Sequence, residues 1–250
     1  MIFIKKIKAS IGDFLVYFKE KIILRKPLTI LMYHSVSDAP DFFTVRPSDF
    51  EWQMEYLYEN NYHIISFPEI LEKLEKKQKL PSRSVIITFD DGYEDNYLTA
   101  FSILRRYNFP ATIFLTTSRI NDKDYTNKRN KKLPMLNWGQ IQKMYKSGFI
   151  DFEPHTVSHP RLSQMTIKQA RIEIEESRKE IEKRLGKECN LFAYPYGDYN
   201  NQVLELIKEL GFRAALTTKK GFIKNNNQIF CLRRNSIDSL VGKLRFRLKI

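Results

Sequence analysis

The stretch Val85-Ile86-Ile87-Thr88-Phe89-Asp90-Asp91-Gly92-Tyr93 decides the fold. Three β-branched apolar residues run directly into two adjacent carboxylates and a glycine. An apolar run without alternation is the pattern of a strand covered on both faces, as in parallel sheets. Side chains alternate along a strand, so neighbouring aspartates at its end point different ways. One can hold a metal while the other faces a substrate. Gly92 lets the chain turn sharply where a side chain would clash. By itself the stretch reads equally well as a strand closed by an ordinary Asp-Gly turn.

A second stretch shifts the balance. Ile150-Asp151-Phe152-Glu153-Pro154-His155-Thr156-Val157-Ser158-His159-Pro160 is another apolar strand, ending in two of the chain's four histidines. Neutral imidazole is the commonest protein metal ligand. Two histidines and one carboxylate leave coordination positions open for water and substrate. The competing reading is a pair of hydrogen-bonded loop histidines.

Working outward, the chain alternates strand and helix patterns. Leu28 to Tyr33 reads as a strand delivering His34. Ser48, with Glu51 three residues on, has the form of a helix-opening capping box. The pattern predicts a short strand at His63, a helix over 67–77, a helix over 94–107 and a strand over 111–116. Residues 118–133 form a polar surface loop bordering a groove. Asn137 caps a helix whose Trp138 reads as core packing. Thr166 opens a long helix closed by Gly186, and a further helix runs from about Asn200 to Leu210, ended by Gly211. Strands are expected over 191–194, 213–217 and 228–232. The tail from Lys243 to Ile250 alternates basic and apolar residues, as an edge strand or a membrane-facing segment would. Strands alternating with helices imply a parallel sheet with right-handed crossovers. About seven or eight strands suit a barrel.

The 250 residues, 42% of them hydrophobic, suit one globular domain. The formal net charge of +13 favours anionic surroundings such as an acidic glycan or lipid headgroups. The charge is dispersed and carries no nucleic-acid motif, so no nucleic-acid partner is expected. Cys189 and Cys231 make no disulfide framework. Residues 1–26 stand apart from the rest of the chain, 27–250, which reads as one domain. Phe3, Ile7, Ile11, Phe14, Leu15, Phe18 and Ile22 recur at helical spacing, with seven basic residues against Asp13 and Glu20. Two readings stay open: a basic amphipathic helix on an anionic membrane, or a helix packed on the domain. With neither a clear signal peptide nor a transmembrane span, the expected location is cytoplasmic, peripheral to the inner membrane face in the first reading.

Thr88-Phe89-Asp90-Asp91-Gly92, His155-Thr156-Val157-Ser158-His159 and Phe192-Ala193-Tyr194-Pro195-Tyr196-Gly197 resemble, in order and spacing, the three motifs of the NodB-type polysaccharide deacetylases (carbohydrate esterase family 4). The resemblance covers roughly residues 28–238. It implies a distorted (β/α) barrel of about seven parallel strands, with the site at the C-terminal rim. It also implies a metal-dependent hydrolase that removes N-acetyl groups from amino sugars of a glycan or lipid-linked precursor. Alternatives are an O-acetyl esterase and an inactive glycan-binding domain.

By the same resemblance, Asp91, His155 and His159 are metal ligands, Asp90 is the catalytic base, and Tyr194, Pro195 and Tyr196 form the substrate and oxyanion side. Zn²⁺ is the expected ion, with Co²⁺, Ni²⁺ or Fe²⁺ as alternatives. Two departures stand out. Ala193 occupies the place of the third motif's arginine, and Arg234 is the candidate replacement that would orient the base. The family's late Leu-x-His is missing. Leu31-Met32-Tyr33-His34-Ser35-Val36 resembles instead the early acid-bearing strand of a permuted subgroup, similar to poly-N-acetylglucosamine deacetylases, which makes His34 the general acid.

Overall fold

The computed structural model describes residues 28–76, 78, 81–223 and 226–250. The amphipathic segment 1–26 lies outside them. No described helix is long and apolar enough to cross a membrane.

The quoted stretch forms β5 (Ser84–Asp91), all eight residues of it buried. Along one edge of β5 runs β1 (Thr29–Tyr33), in parallel register from Thr29 opposite Val85 to Tyr33 opposite Phe89. The other edge is shared end to end. Its start pairs with β4 (His63–Ile64) and its end with β6 (Ala111–Leu115). β6 continues to β7 (Ile150–Pro154), and β1 pairs on its far side with β10 (Asn235–Ser236). The parallel pair β8 (Leu191–Ala193) and β9 (Ala214–Leu216) completes the ring. Thr217 N–H donates to Leu232 O, and Leu232 N–H to Ala215 O, joining β9 to the segment that leads into β10.

Five of the six strands in the main sheet, all but the short β4, make with β8 and β9 a seven-stranded distorted barrel. A small parallel pair, β2 (Ser35–Val36) and β3 (Thr44–Val45), sits beyond β1.

No β-ladder joins β7 to β8; side chains close that seam. Glu153 and Glu153's second neighbour along the strand, His155, face β8 together, as residues two apart must. Glu153 Oε2 accepts Leu191 N–H at 3.0 Å. His155 Nδ1 meets Ala193 O at 2.6 Å. Lys187 Nζ anchors the lower end, bonding Asp151, Phe152 O and Glu153.

Alternation divides the core. Ile30, Ile86, Phe114, Ala193, Ala214 and Leu216 come from five different strands yet pack in one cluster, the barrel interior. Their neighbours Leu31, Tyr33, Ile87, Phe89 and Ile113 pack outward. There they meet α1 (Pro47–Glu59), α3 (Phe101–Arg106) and α4 (Trp138–Lys146). The remaining helices are α2 (Phe67–Glu75), α5 (Ile167–Leu185), α6 (Asn201–Glu209) and α7 (Lys243–Lys249).

Asn137 and Thr166 open their helices as the sequence predicts, both with full capping boxes, and Asn200 also caps its helix. Four local expectations are corrected. Helix α1 opens with Pro47 after Arg46 and has no side-chain cap. The ring fixes a helical φ at that first position, and Glu51 bonds Arg106 instead. The predicted helix over 94–107 begins with a π turn, Asn96–Ala100, a distortion frequent near functional sites. The predicted strand over 228–232 is a 3₁₀ turn, Asn226–Cys231, with only Leu232 bridging to β9. The tail is a helix. Phe246 and Ile250, four apart, share its buried face, a spacing that the two-residue alternation conceals.

Candidate active site

The strand ends and the turns after them deliver His34, Asp90, Asp91, His155, His159 and Tyr196 to one cavity of about 460 Å³. Strict alternation would aim Asp91 away from Asp90. Asp91 has φ 72°, and this left-handed backbone brings its carboxylate to the same cavity. Gly92 follows at φ 85°, where a Cβ would lie 2.7 Å from Leu115 Cδ2. Thr156, His159 and Tyr196 also have positive φ, at 68°, 62° and 59°. Such conformations persist only where surrounding contacts enforce them. The enforcement is visible: Ser158 N–H and Oγ both donate to Glu173 of α5, and His159 N–H donates to Thr156 Oγ1.

Asp91, His155 and His159 place one ligand atom each within 4.8 Å of one another. The His155 Nδ1 contact is with a carbonyl, so Nδ1 carries the proton and Nε2 keeps its lone pair. Burial pushes both imidazoles below their ordinary range, His159 to about 3. Burial pushes Asp91 up, but His159, His34, His155 and Arg119 outweigh it and hold the carboxyl well below normal. Two neutral imidazoles and one carboxylate are the protonation states a divalent cation requires, so the group fits a metal ion. Arg119 (3.2 Å, to Oδ1) and the Tyr93 hydroxyl (3.3 Å, to Oδ2) further fix Asp91.

Asp90 has a different neighbour. Arg234, fully buried, grips it with two parallel bonds, 2.7 Å to Oδ1 and 2.6 Å to Oδ2. Arg234 Nε donates to Thr217 O at 2.9 Å, fixing the fork. Burial pushes Asp90 up; the guanidinium, with His155 and His34, overcomes this and holds it below the usual carboxylate range. Ala193, where the family motif carries arginine, has no side chain to do this. Arg234 arrives from the loop before β10.

His34 lines the same cavity, stacked on Phe43 with ring centroids 4.6 Å apart. Its Nδ1 is buried without a hydrogen-bond partner. Asn96 of the π turn donates to His34 O at 2.8 Å and pins the backbone there. His63 begins β4 and is exposed, away from the cavity.

Tyr196 lines the cavity, its ring centroid 4.5 Å from that of His159. Tyr194 and Pro195 do not. Tyr194 is fully buried in the cluster under α5 and α6, its hydroxyl on Phe230 O at 3.2 Å. Strand alternation sends it to the outer face of β8. Trp138 packs against the core and under Arg184, outside the cavity. The loop 118–133 does border the groove, supplying Arg119, Tyr125, Asn127, Lys128 and Arg129. None of these, nor Arg161 or Tyr93, was singled out from the sequence. They come from irregular segments, and no periodicity marks them.

Fold and site define a class: a distorted parallel barrel whose C-terminal rim carries an Asp-His-His group that fits a metal ion, a guanidinium-gripped carboxylate and an unpartnered imidazole. Comparison with known proteins agrees. The polysaccharide deacetylase family matches residues 77–215. A putative polysaccharide deacetylase, YxkH of Bacillus subtilis, is 31% identical over 207 residues, 83% of this chain and 70% of that protein. The poly-β-1,6-N-acetyl-D-glucosamine N-deacetylase of Staphylococcus aureus is 31% identical over 212 residues, 82% of this chain and 71% of its own length. Among solved structures, the Streptococcus pyogenes deacetylase PplD, in complex with acetate, superposes with a TM-score of 0.80 at 25% identity. That match covers 90% of this chain and 98% of PplD. The chain belongs to the polysaccharide deacetylase family, metal-dependent hydrolases that remove N-acetyl groups from amino sugars.

Proposed function

We propose that this chain hydrolyses the acetamide of N-acetylglucosamine units in a glycan or lipid-linked precursor, with Asp90 as base and His34 as acid. The convergence of the Asp91–His155–His159 group, Asp90 and His34 on one cavity carries this reading. The Staphylococcus relative supplies the sugar class.

Asp91, His155 and His159 would hold Zn²⁺, which when bound acidifies water and polarises the acetamide carbonyl. Asp90, kept ionised by Arg234, accepts the proton of the attacking water. The backbone N–H of Tyr196 is assigned to the developing oxyanion. An amine leaves only when protonated, and His34 delivers that proton to the nitrogen. Its ring has a free Nδ1 and no ligand role.

The test is acetate release from N-acetylglucosamine oligomers by zinc-loaded protein, with metal content measured in parallel. One ion per chain and released acetate are expected. His155→Ala should lose both. Equal metal in wild type and variant would overturn the ligand assignment, and absence of acetate from metal-loaded wild type would overturn the reaction.

A further inference from the structure

The wall of the cavity beyond the reacting groups carries more positive charge than a neutral sugar needs. Four cations line it: Arg119, Lys128, Arg129 and Arg161. Two are committed. Arg119 bonds Asp91. Arg129 grips the buried Asp41 with its fork, 2.8 Å from Nε and 2.6 Å from Nη2.

The other two flank one aromatic ring. Lys128 Nζ lies 2.8 Å from the Tyr196 hydroxyl and 5.0 Å from its ring centroid. The Arg161 guanidinium lies 4.6 Å from the same centroid. Among the described residues Lys128 has no carboxylate within ion-pair distance, and Arg161 has only Asp198 at 4.0 Å. That carboxylate is already taken by Ser163 N–H and Oγ, at 2.9 Å each.

An aromatic face alone serves a neutral sugar. Two cations beside it, with only the Asp198 carboxylate at 4.0 Å from one of them, repel each other, and they repel the ammonium that deacetylation creates. The arrangement becomes favourable when an anion enters. A guanidinium fork, an ammonium and a phenolic hydroxyl offer donors from separate directions, which suits the several oxygens of a phosphate. Tyr196 also abuts the His159 ring at 4.5 Å, so the anion would sit next to the reacting sugar.

We propose that the substrate bears a phosphate beside its N-acetylated unit, held between Lys128 and Arg161 across Tyr196. This deepens the deacetylase reading and rests on it. Either a phosphodiester within a polymer or a lipid diphosphate presents the same chemistry. One consequence follows for the product pattern. Units next to a phosphate are deacetylated, and a neighbouring free amine disfavours a second event.

Three probes separate the outcomes: a neutral N-acetylglucosamine disaccharide, the same disaccharide as a reducing-end phosphodiester of glycerol, and the same as a short-chain prenyl diphosphate. At low salt, kcat/KM for at least one phosphate probe should exceed that of the neutral disaccharide about ten-fold, mainly through KM. High salt should shrink the excess. Lys128→Gln and Arg161→Gln should each cut the charged-to-neutral ratio by about the same factor. Preference for the prenyl diphosphate alone identifies a lipid-linked source, and preference for the glycerol diester alone a polymer linkage. A ratio near one in wild type, with acetate released, overturns this inference and leaves the deacetylase reading intact. A ratio that neither substitution changes does the same. No acetate from any probe overturns both.

Discussion

Two buried carboxylates in this barrel meet cations in opposite ways. At the rim, Asp90 has one partner to itself, the two-pronged Arg234. At the seam between β7 and β8, Glu153 shares the Lys187 ammonium with Asp151. Both carboxylates are almost wholly removed from solvent. Yet Asp90 is held below the ordinary range, while Glu153 is pushed up to about 7. Burial is the largest influence on each. A dedicated planar fork, with His155 and His34 nearby, overcomes it; a single shared point charge does not. The rim thus keeps a group ionised for chemistry, and the seam carries one near its titration point for structure.

The largest expected effect falls on the reaction. Asp90→Asn should keep the fold and the metal but lower kcat by roughly 10²–10⁴-fold, the usual worth of general acid–base catalysis. The variant leaves Arg234 a polar neighbour. Turnover close to wild type in metal-loaded protein would remove Asp90 from the role of base, and would reduce the rim pair to a second structural lock.

Arg234→Met tests the other half of the pair. It strands a buried carboxylate, at an expected cost of about 3–5 kcal/mol in denaturant unfolding near neutral pH. The sign with pH follows from the shift. Asp90's folded pKa is depressed, so its stabilisation is present above its unfolded value and disappears as pH falls through the folded one. The variant should therefore lose less on acidification than wild type does. Its kcat/KM profile should shift its acid limb upward, since an Asp90 without the guanidinium is more basic. An unmoved acid limb would dissociate that limb from Asp90.

His34 offers a third environment, an imidazole with a stacked face and an unpartnered Nδ1. His34→Ala should retain metal and fold and reduce kcat by about 10²-fold with little change in KM, the mark of an interaction made mainly in the transition state. A change confined to KM would make His34 a substrate contact instead.

How far the sequence reached follows the same contrast. The Asp-Asp-Gly strand end and the paired histidines were legible because each sits on a short apolar run whose periodicity is local. The barrel followed from alternation of such runs. Arg234 was recognisable only by what Ala193 lacked, since the guanidinium meets Asp90 across 144 positions of chain. Tyr194 was misplaced because adjacency in a motif hides the alternation that buries it. The seam left no trace: Glu153 stood in plain sight beside the histidines, but nothing local says that β7 and β8 never form a ladder. Lys128, Arg161 and Tyr93 come from irregular segments outside the named helices and strands, where neither period applies.

The smallest effect belongs to that seam. The two partners there point in different directions. Burial alone would lower Lys187, yet Glu153 and Asp151 push it well above its usual range, which speaks for a favourable pairing. Glu153 rises, which speaks for an ionisation that costs the fold. The geometry supports both, because one ammonium faces two carboxylates and only one of them needs to be charged. The sign with pH is then fixed. Glu153's folded pKa of about 7 lies above its ordinary 4.5, so the folded state binds the proton more tightly. Stability contributed by that proton is present at acid pH and is lost as pH rises from about 4.5 through about 7. Glu153→Gln removes the titration and keeps an acceptor for the Leu191 N–H. Its expected net effect at neutral pH is about 1 kcal/mol. Its signature is the slope: between pH 4.5 and 7, melting temperature should fall in wild type and stay flatter in the variant. Because His155 closes the same seam two residues further on, the variant should also bind zinc more weakly if the seam positions the ligand. Parallel melting curves across that window, with unchanged zinc affinity, would make Glu153 a passive hydrogen-bond acceptor, and the contrast with Asp90 would be one of partners only.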